Sequence, residues 1–541
     1  MIRFISRVFG VEVNAGKAAT LTKNTMRAVE FNGEKNAICV YNDGNAFYAT
    51  GGKCSHYGAP LIMGGFSSGK VYCPWHCACF DVKSGMKVTS PAVQDIGSYK
   101  TSVNSDGDLI VSLPEDVKEP AAYINKGLVK RDPSNTQQFI IIGGGAAGLT
   151  CAESLRKNNF TGSIKILTNE DINPYDRVTL SKNFRMNALK TIIRADNFYT
   201  DFDIEILKQT PAKGINIKEK TVLTENGSIN YDKLLIASGC RARILKGFEG
   251  LSNVCTIRSV SDHIKIKPLV ESSKNIVIVG GSFLGLEAAN AIKNTWADKE
   301  VTIIESEKVP LERVMGRTIG GLLKRRLEDK GVKFLTDKIA SNIQKHDNKA
   351  VSIDYNSGSI PCDMVLLASG SEINTSFIPK ELLNADNSVR VNALMQTDDP
   401  NIFAAGDIAN YYSIYSGTSI RSEHWTVAQD QGITAGLNML GLGKPHISVP
   451  YFWSNQAVNM QFVGTSGEPG FTESKDLGGK DEGHITYFFN GNKTVGVGIA
   501  NWFGASWIFN SLFEKGLVPN KSQILGGKKF EDLKEEFKKY A

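Results

Sequence analysis

The sequence predicts a multidomain chain: a small all-β domain first, two nested α/β dinucleotide-type folds next, and an α+β domain last. Three observations carry this. Two strand–glycine loop–helix segments turn at Gly143 and Gly280, 137 positions apart. The first hundred residues read as short strands punctuated by glycine, as in A-I-C-V-Y-N-D-G-N-A-F-Y-A-T. Near the other end, H-I-T-Y-F-F-N and K-T-V-G-V-G-I-A read as antiparallel strands before a helical tail. The expected boundaries are 1–113, a linker at 114–137, then 138–262, 263–383, 384–447 and 448–541. The linker is assigned from its polar, proline-punctuated composition.

Length and composition bound the function classes. With 541 residues, 41% hydrophobic and 22% charged, the chain can bury several ordinary cores. Its apolar runs are strand-sized, so no transmembrane segment is expected. The net charge of +6 is spread without a basic stripe, which suits an acidic electron-transfer partner and disfavours nucleic acid as the main one. The start, M-I-R-F-I-S-R-V-F-G-V, has no acid before Glu12. It reads as a short mitochondrial presequence, a first strand or a disordered end. Nine cysteines without a secretory signal imply reduced thiols, hence a cytoplasmic or mitochondrial setting.

Within the first domain, Cys54-Ser-His56 and Cys73-Pro-Trp-His76 form two boxes of one thiol and one imidazole each. Zinc sites more often read C-x₂₋₄-C or H-x₃₋₅-H. The boxes resemble the Rieske [2Fe–2S] pattern, with Gly58, Pro60 and Leu61 after the first and Phe80, Asp81 and Gly85 after the second. That resemblance implies Cys54 and Cys73 on one iron, His56 and His76 on the other. High-potential Rieske proteins carry an extra cysteine in each box; here Ala59 and Trp75 stand there. The resemblance is therefore to oxygenase-type Rieske ferredoxins, at the low end of the roughly −150 to +300 mV range. Cys77 stands where that group usually has glycine, and Cys77 and Cys79 are read as buried residues.

Residues 139–150 read F-I-I-I-G-G-G-A-A-G-L-T, a buried strand running into a helix. Gly143, Gly145 and Gly148 supply G-x-G-x-x-G: a tight turn, room for a pyrophosphate, and close helix–strand packing. The helix then offers its N-terminal amides to the phosphates. Glu170, with Asn169 as the alternative, stands where a ribose hydroxyl is bonded. Residues 174–182, P-Y-D-R-V-T-L-S-K, resemble a segment of flavin-dependent ferredoxin reductases and apoptosis-inducing factors. The resemblance implies FAD, with Arg177 and Lys182 at the flavin. Residues 231–239 resemble the box that leaves the FAD fold, and 396–407 resemble the second FAD fingerprint, which implies Gly406 and Asp407 as FAD contacts. Glu423-His424-Trp425 falls in the region that lies at the flavin and nicotinamide in that family. Trp425 could stack there or fill the core. The V-P-Y-F-W-S box resembles that of ferredoxin reductases and adds Trp453.

The second glycine loop, N-I-V-I-V-G-G-S-F-L-G-L-E, has Gly280 and Gly285, with Ser282 in the place of the middle glycine. Serine there reduces clearance slightly. Glu305 ends the next strand and favours NADH over NADPH, with Lys308 the nearby cation. By resemblance Glu287 stands beside the nicotinamide, so Lys182, Glu287 and Trp425 are the catalytic candidates; a helix salt bridge is the other reading of Glu287. Disulfide reductases of this class carry Cys-x₄-Cys after the first helix. Cys151 stands alone, which disfavours that chemistry.

Taken together, the chain resembles the Rieske-bearing branch of the apoptosis-inducing factor family. The resemblance implies an N-terminal all-β Rieske domain, Rossmann-like FAD and NAD domains nested as in glutathione reductase, and an α+β C-terminal domain. It implies electron flow from NADH to FAD to a [2Fe–2S] cluster and on to a one-electron acceptor, protein or small molecule. A redox-controlled signalling protein and a reductase feeding an oxygenase are the competing readings. A homo-oligomer is compatible with all three.

Overall fold

The computed structural model describes residues 9–115, 117, 119–120, 123–124, 127–465, 472–473, 477–478 and 483–540. Residues 1–8 of the acid-free start, and parts of the linker, lie outside the described residues; Phe9–Lys17 is a strand. The chain divides into two compact units, Met1–Leu128 with Phe503–Ala541, and Val129–Trp502.

The smaller unit is built on a six-stranded antiparallel sheet in the order Phe9–Lys17, Asp108–Pro114, Ser98–Val103, Phe47–Gly51, Glu34–Asn42, Thr25–Phe31. The last two strands meet at Asn32-Gly33, both at positive φ, the turn that matches the twist of a tight hairpin. Ile38, Val40, Ala49, Leu109, Val111 and Leu113 form one core. A four-stranded meander, Gly65–Ser67, Lys70–Tyr72, Cys79–Asp81 and Lys87–Thr89, carries the second thiol–imidazole box between its second and third strands. Tyr41, Phe66, Phe80 and Ile96 pack beneath both boxes.

The expected last domain spans both units. The segment 448–541 is divided: its strands from Tyr451–Asn455 to Lys493–Ala500 belong to the larger unit, whereas helices Ala505–Glu514 and Phe530–Tyr540 belong to the smaller. The last helix buries Phe530, Leu533 and Phe537.

In the larger unit, one parallel sheet runs Ile204–Leu207, Ser163–Leu167, Gln138–Ile142, Lys233–Ile236, Ile402–Ala404. A second runs Val254–Thr256, Met364–Leu367, Asn275–Val279, Glu300–Ile304, Val332–Leu335. Nesting is visible in Ile402–Ala404, which rejoins the first sheet only after the second is complete. Helix Ala146–Lys157 packs on Trp425–Met439 at Gly432, where an added Cβ would lie 2.2 Å from the Ala147 carbonyl oxygen. An antiparallel sheet containing Tyr451–Asn455, Asn459–Gly464, Lys493–Ala500 and His484–Asn490 completes the unit. Among the described residues, no helix is long and apolar enough to cross a membrane.

Candidate functional site

In the smaller unit the two boxes are copies of one loop. Gly58 donates its amide to the Cys54 carbonyl (2.9 Å), and the Cys54 amide reaches the Ala59 carbonyl (2.9 Å). In the second loop Cys77 donates to Cys73 (3.2 Å), and Cys73 to Ala78 (2.8 Å). Gly58 and Cys77 occupy the same left-handed position, at φ +78° and +57°. Tight closure turns two amides of each loop onto its thiol, His56 and Tyr57 onto Cys54, Trp75 and His76 onto Cys73. Such nests hold negative charge. The hydrogen bond between the thiols, with burial, holds Cys54 well above its ordinary range. Burial raises Cys73 too, but the bond from Cys54 and the loop amides bring it down overall, so the pair favours one thiolate.

The imidazoles face each other, His56 Nδ1 to His76 Nδ1 at 3.0 Å. Burial pushes His56 down to about 3, which keeps it in the neutral, ligating form. Among the described residues no three His, Cys, Asp or Glu groups converge on a single ion. Two thiols form one pair and two imidazoles another, which fits a two-iron centre with two protein ligands per iron. The donor set therefore fits a [2Fe–2S] cluster. Cys79 is buried as expected; Cys77 is buried and its thiol donates to Ser506 Oγ (3.4 Å).

At the first glycine loop of the larger unit, each glycine has its own reason. Gly143 lies at φ +119°, and a Cβ there would meet the Ala237 carbonyl oxygen at 2.1 Å. A Cβ on Gly148 would meet the Gly143 carbonyl oxygen at 1.9 Å. A Cβ on Gly145, the helix N-cap, would meet nothing within 4 Å. No protein atom needs that space, so the loop fits the backbone approach of a pyrophosphate.

Glu170 and Arg177 are brought together, 3.2 Å apart, with the Tyr175 hydroxyl donating to the same carboxylate (2.6 Å). Arg177 also donates to the Arg258 carbonyl (2.8 Å). A carboxylate has about four acceptor sites, so Glu170 retains capacity for ribose hydroxyls. Asp407, after Gly406 at φ +80°, pairs with Arg258 (2.8 Å) and accepts from the Cys240 thiol (3.1 Å). Burial, then the Asp407 charge, push Cys240 up to about 12, so its thiol stays protonated and donating. His424 has a buried Nδ1 without a hydrogen-bond partner and packs on Phe452 at 4.5 Å. Open loop, carboxylate and unpaired imidazole nitrogen fit FAD.

The second loop repeats the plan with one change. Gly280 (φ +106°) and Gly285 make the same close approaches as Gly143 and Gly148. Ser282 is the helix N-cap: its hydroxyl accepts from the Gly285 amide (3.4 Å) and donates to the Ala368 carbonyl (2.8 Å). The serine thus stabilises its own helix. Glu305 is buried and accepts from the amides of Gly281 (2.5 Å) and Glu307 (2.8 Å). Ser369, beside Gly280, has a buried hydroxyl without a partner. These groups fit NADH, and exposed Lys308 stands nearby in sequence.

Between the two folds, Lys182 Nζ lies 3.0 Å from Glu287. The Ser454 hydroxyl donates to Glu287 at 2.6 Å, and Ser181 donates to its other oxygen. Buried Trp453 precedes Ser454 on its strand. The Thr426 hydroxyl, next to half-buried Trp425, donates to the Tyr451 carbonyl on that strand. Cation, acid and both tryptophans thus come from segments that meet at one junction. Sequence reasoning missed Arg258, Cys240, Ser181 and Ser454. Ser181 and Ser454 lay inside recognised boxes; Arg258, in R-S-V-S-D, has no motif to mark it.

A Rieske [2Fe-2S] domain model matches residues 12–100, and the pyridine nucleotide-disulphide oxidoreductase model matches 137–432. Apoptosis-inducing factor 3 of Homo sapiens is 29% identical over 91% of this chain and 82% of its own length; that of Mus musculus is 31% identical over 82% and 74%. The ferredoxin–NAD(+) reductase component of the 3-phenylpropionate/cinnamic acid dioxygenase of Photorhabdus laumondii is 32% identical over 61% of this chain and 84% of its own. Among solved structures, the covalent putidaredoxin reductase–putidaredoxin complex shares the fold, with a TM-score of 0.69 at 24% identity over 75% of this chain and 99% of that one. The chain therefore belongs to the pyridine nucleotide-disulphide oxidoreductase family, in the branch of apoptosis-inducing factor 3 that also carries a Rieske domain.

Proposed function

We propose that this oxidoreductase takes electrons from NADH and delivers them singly, by way of FAD and its own [2Fe–2S] cluster, to an external one-electron acceptor. The observation that carries the reading is the presence of two dinucleotide loops and a thiol–imidazole cluster site in one chain. When bound, FAD accepts an electron pair as hydride and releases electrons one at a time, and a [2Fe–2S] centre carries them singly.

The chain's own residues supply binding and order. Glu305 accepts a free ribose 2′-hydroxyl and repels a 2′-phosphate, so NADH is the donor rather than NADPH. Gly145 and the capped loop at Gly280 admit phosphates to helix N-termini. Asp407, held by Arg258, would offer acceptors to the ribityl hydroxyls, and Glu170, paired with Arg177, would accept from a ribose hydroxyl. Glu287 holds the Lys182 ammonium in place, and a fixed cation there would favour negative charge on a bound flavin ring. Trp425 and Trp453 lie next to Thr426 and Ser454, whose hydroxyls tie their segments to the same junction. His56 and His76, less buried than Cys54 and Cys73, mark the exit edge of the cluster loops.

A ferredoxin-like protein serving an oxygenase is the acceptor class favoured by the likeness to a dioxygenase reductase component. A signalling role is suggested by the name of the human and mouse relatives. Anaerobic titration with NADH tests the reading. Bleaching of the flavin followed by the spin-resonance signal of a reduced cluster is expected. In Cys54→Ser the flavin still bleaches and the cluster signal is lost. Flavin bleaching in the wild-type chain with a cluster that stays oxidised refutes transfer between them.

A further inference from the structure

The cluster loops are not held by the first domain alone. Ser506, in the first turn of helix Ala505–Glu514, is fully buried and accepts from the Cys77 thiol of the second loop (3.4 Å). Cys77 follows the ligand His76, and its amide closes the loop onto Cys73. The next residue, Trp507, stacks on Tyr72 at 6.1 Å and presses on Gly65, where an added Cβ would lie 2.4 Å from the indole. Gly65 and Tyr72 are paired across the hairpin that leads into Cys73. The Tyr72 hydroxyl donates to Glu514 (3.3 Å), and Lys515 donates to Ser67 (3.4 Å). Phe537 of the last helix also meets Trp507, edge-on at 5.3 Å.

The contacts form a clamp. Both strands of the hairpin and the loop after it touch one helix, whose residues lie more than 400 positions away in sequence. The first loop has Gly58 at its left-handed position, where the missing side chain lets the turn close without strain. Cys77 in that conformation is strained, and its side chain is buried against a helix from the far end of the chain. The helix accounts for the departure from glycine.

We propose that the C-terminal helix Ala505–Glu514 is a positioning element of the iron–sulfur site, with Ser506 and Trp507 fixing the geometry of the second ligand loop through Cys77 and Tyr72. It acts on the ligands and does not touch them. Its role rests on the cluster reading above, and goes beyond it by giving the tail a part in how firmly and in what form the cluster is held. Trp507 secures the hairpin by packing; Ser506 secures the loop by one buried hydrogen bond.

The test uses the full chain as Trp507→Ala, Trp507→Phe and Ser506→Ala. Iron and sulfide content, the rate of cluster loss to a chelator, and the midpoint potential and g-values of the reduced cluster are measured. FAD content and flavin bleaching by NADH serve as controls. Trp507→Ala is expected to lose its cluster several-fold faster than wild type, with restoration in Trp507→Phe. Ser506→Ala is expected to keep the cluster but shift its g-values and potential. FAD content and bleaching are unchanged in all three. Cluster retention, potential and g-values indistinguishable from wild type in both alanine variants overturn the proposal. A shared loss of cluster and FAD overturns it as well, because general misfolding then explains the effect. Absence of iron and sulfide from the wild-type chain would instead defeat the cluster reading itself.

Discussion

Replacing Gly145 by alanine is expected to weaken FAD binding while leaving the FAD-free protein as stable as before. The three glycines of the first loop differ in what they touch. Alanine at 143 or 148 meets a carbonyl oxygen at 2.1 or 1.9 Å, so either change damages the fold itself. Gly145 has φ −88° and ψ −164°, extended backbone open to any residue, and an added Cβ meets nothing within 4 Å. Its own contribution to stability is therefore within about 0.5 kcal/mol, or a gain of about 0.4–1 kcal/mol from a less flexible unfolded chain. The methyl group takes the space through which backbone approaches a pyrophosphate. If one amide–phosphate hydrogen bond is lost, at about 1.5–3 kcal/mol for a charged partner, affinity falls roughly 10- to 150-fold. Apoprotein would be titrated with FAD by flavin fluorescence, and its melting followed without cofactor. Unchanged affinity would show that this loop does not bind the pyrophosphate, and a melting point lowered by many degrees would show that the space is not free.

Three further outcomes follow from the same geometry. Glu305→Ala removes a negative charge, so kcat/KM for NADPH relative to NADH is expected to rise by about tenfold or more; it also strands the Gly281 and Glu307 amides, at about 1–3 kcal/mol in urea unfolding. An unchanged coenzyme ratio would remove Glu305 from the ribose site. Glu287→Ala removes the acceptor of the Ser181 and Ser454 hydroxyls and leaves the Lys182 ammonium only the Val178 carbonyl, and is expected to destabilise by roughly 3 kcal/mol, with Glu287→Gln milder. A wild-type urea midpoint in the alanine variant would mean the network contributes nothing. His446, buried and pushed down to about 4 from 6.5, takes its proton more readily in the unfolded chain. Stability is thus intact above pH 6.5 and declines as pH falls from there towards 4, by up to about 1.4 kcal/mol per unit. His446→Gln is expected to flatten that slope, and an identical pH profile would exclude the residue.

The two glycine loops were legible because each is local. A turn at positive φ, a helix packed tightly on its strand and room for a ligand are demands on a few consecutive residues. The cluster boxes are local in the same sense, since each loop closes on its own cysteine within five residues. Ser282 was legible as a departure but not for its role, because its partner Ala368 follows another strand, 86 positions away. Glu170 and Arg177 were read as separate ligands of one cofactor, whereas the structure pairs them.

From the sequence alone came the order of the folds, the donor set proposed for the cluster and the acid proposed to select NADH. Tertiary structure alone decided that Arg258 orients Asp407 and that two serines and a lysine share Glu287. It alone decided that the chain's last helices return to the first domain. Those contacts join residues more than 100 positions apart, such as Ser181 with Glu287 at 106 and Tyr72 with Glu514 at 442. Buried polar groups take whichever partner the packed chain brings within reach, and no local periodicity records that choice.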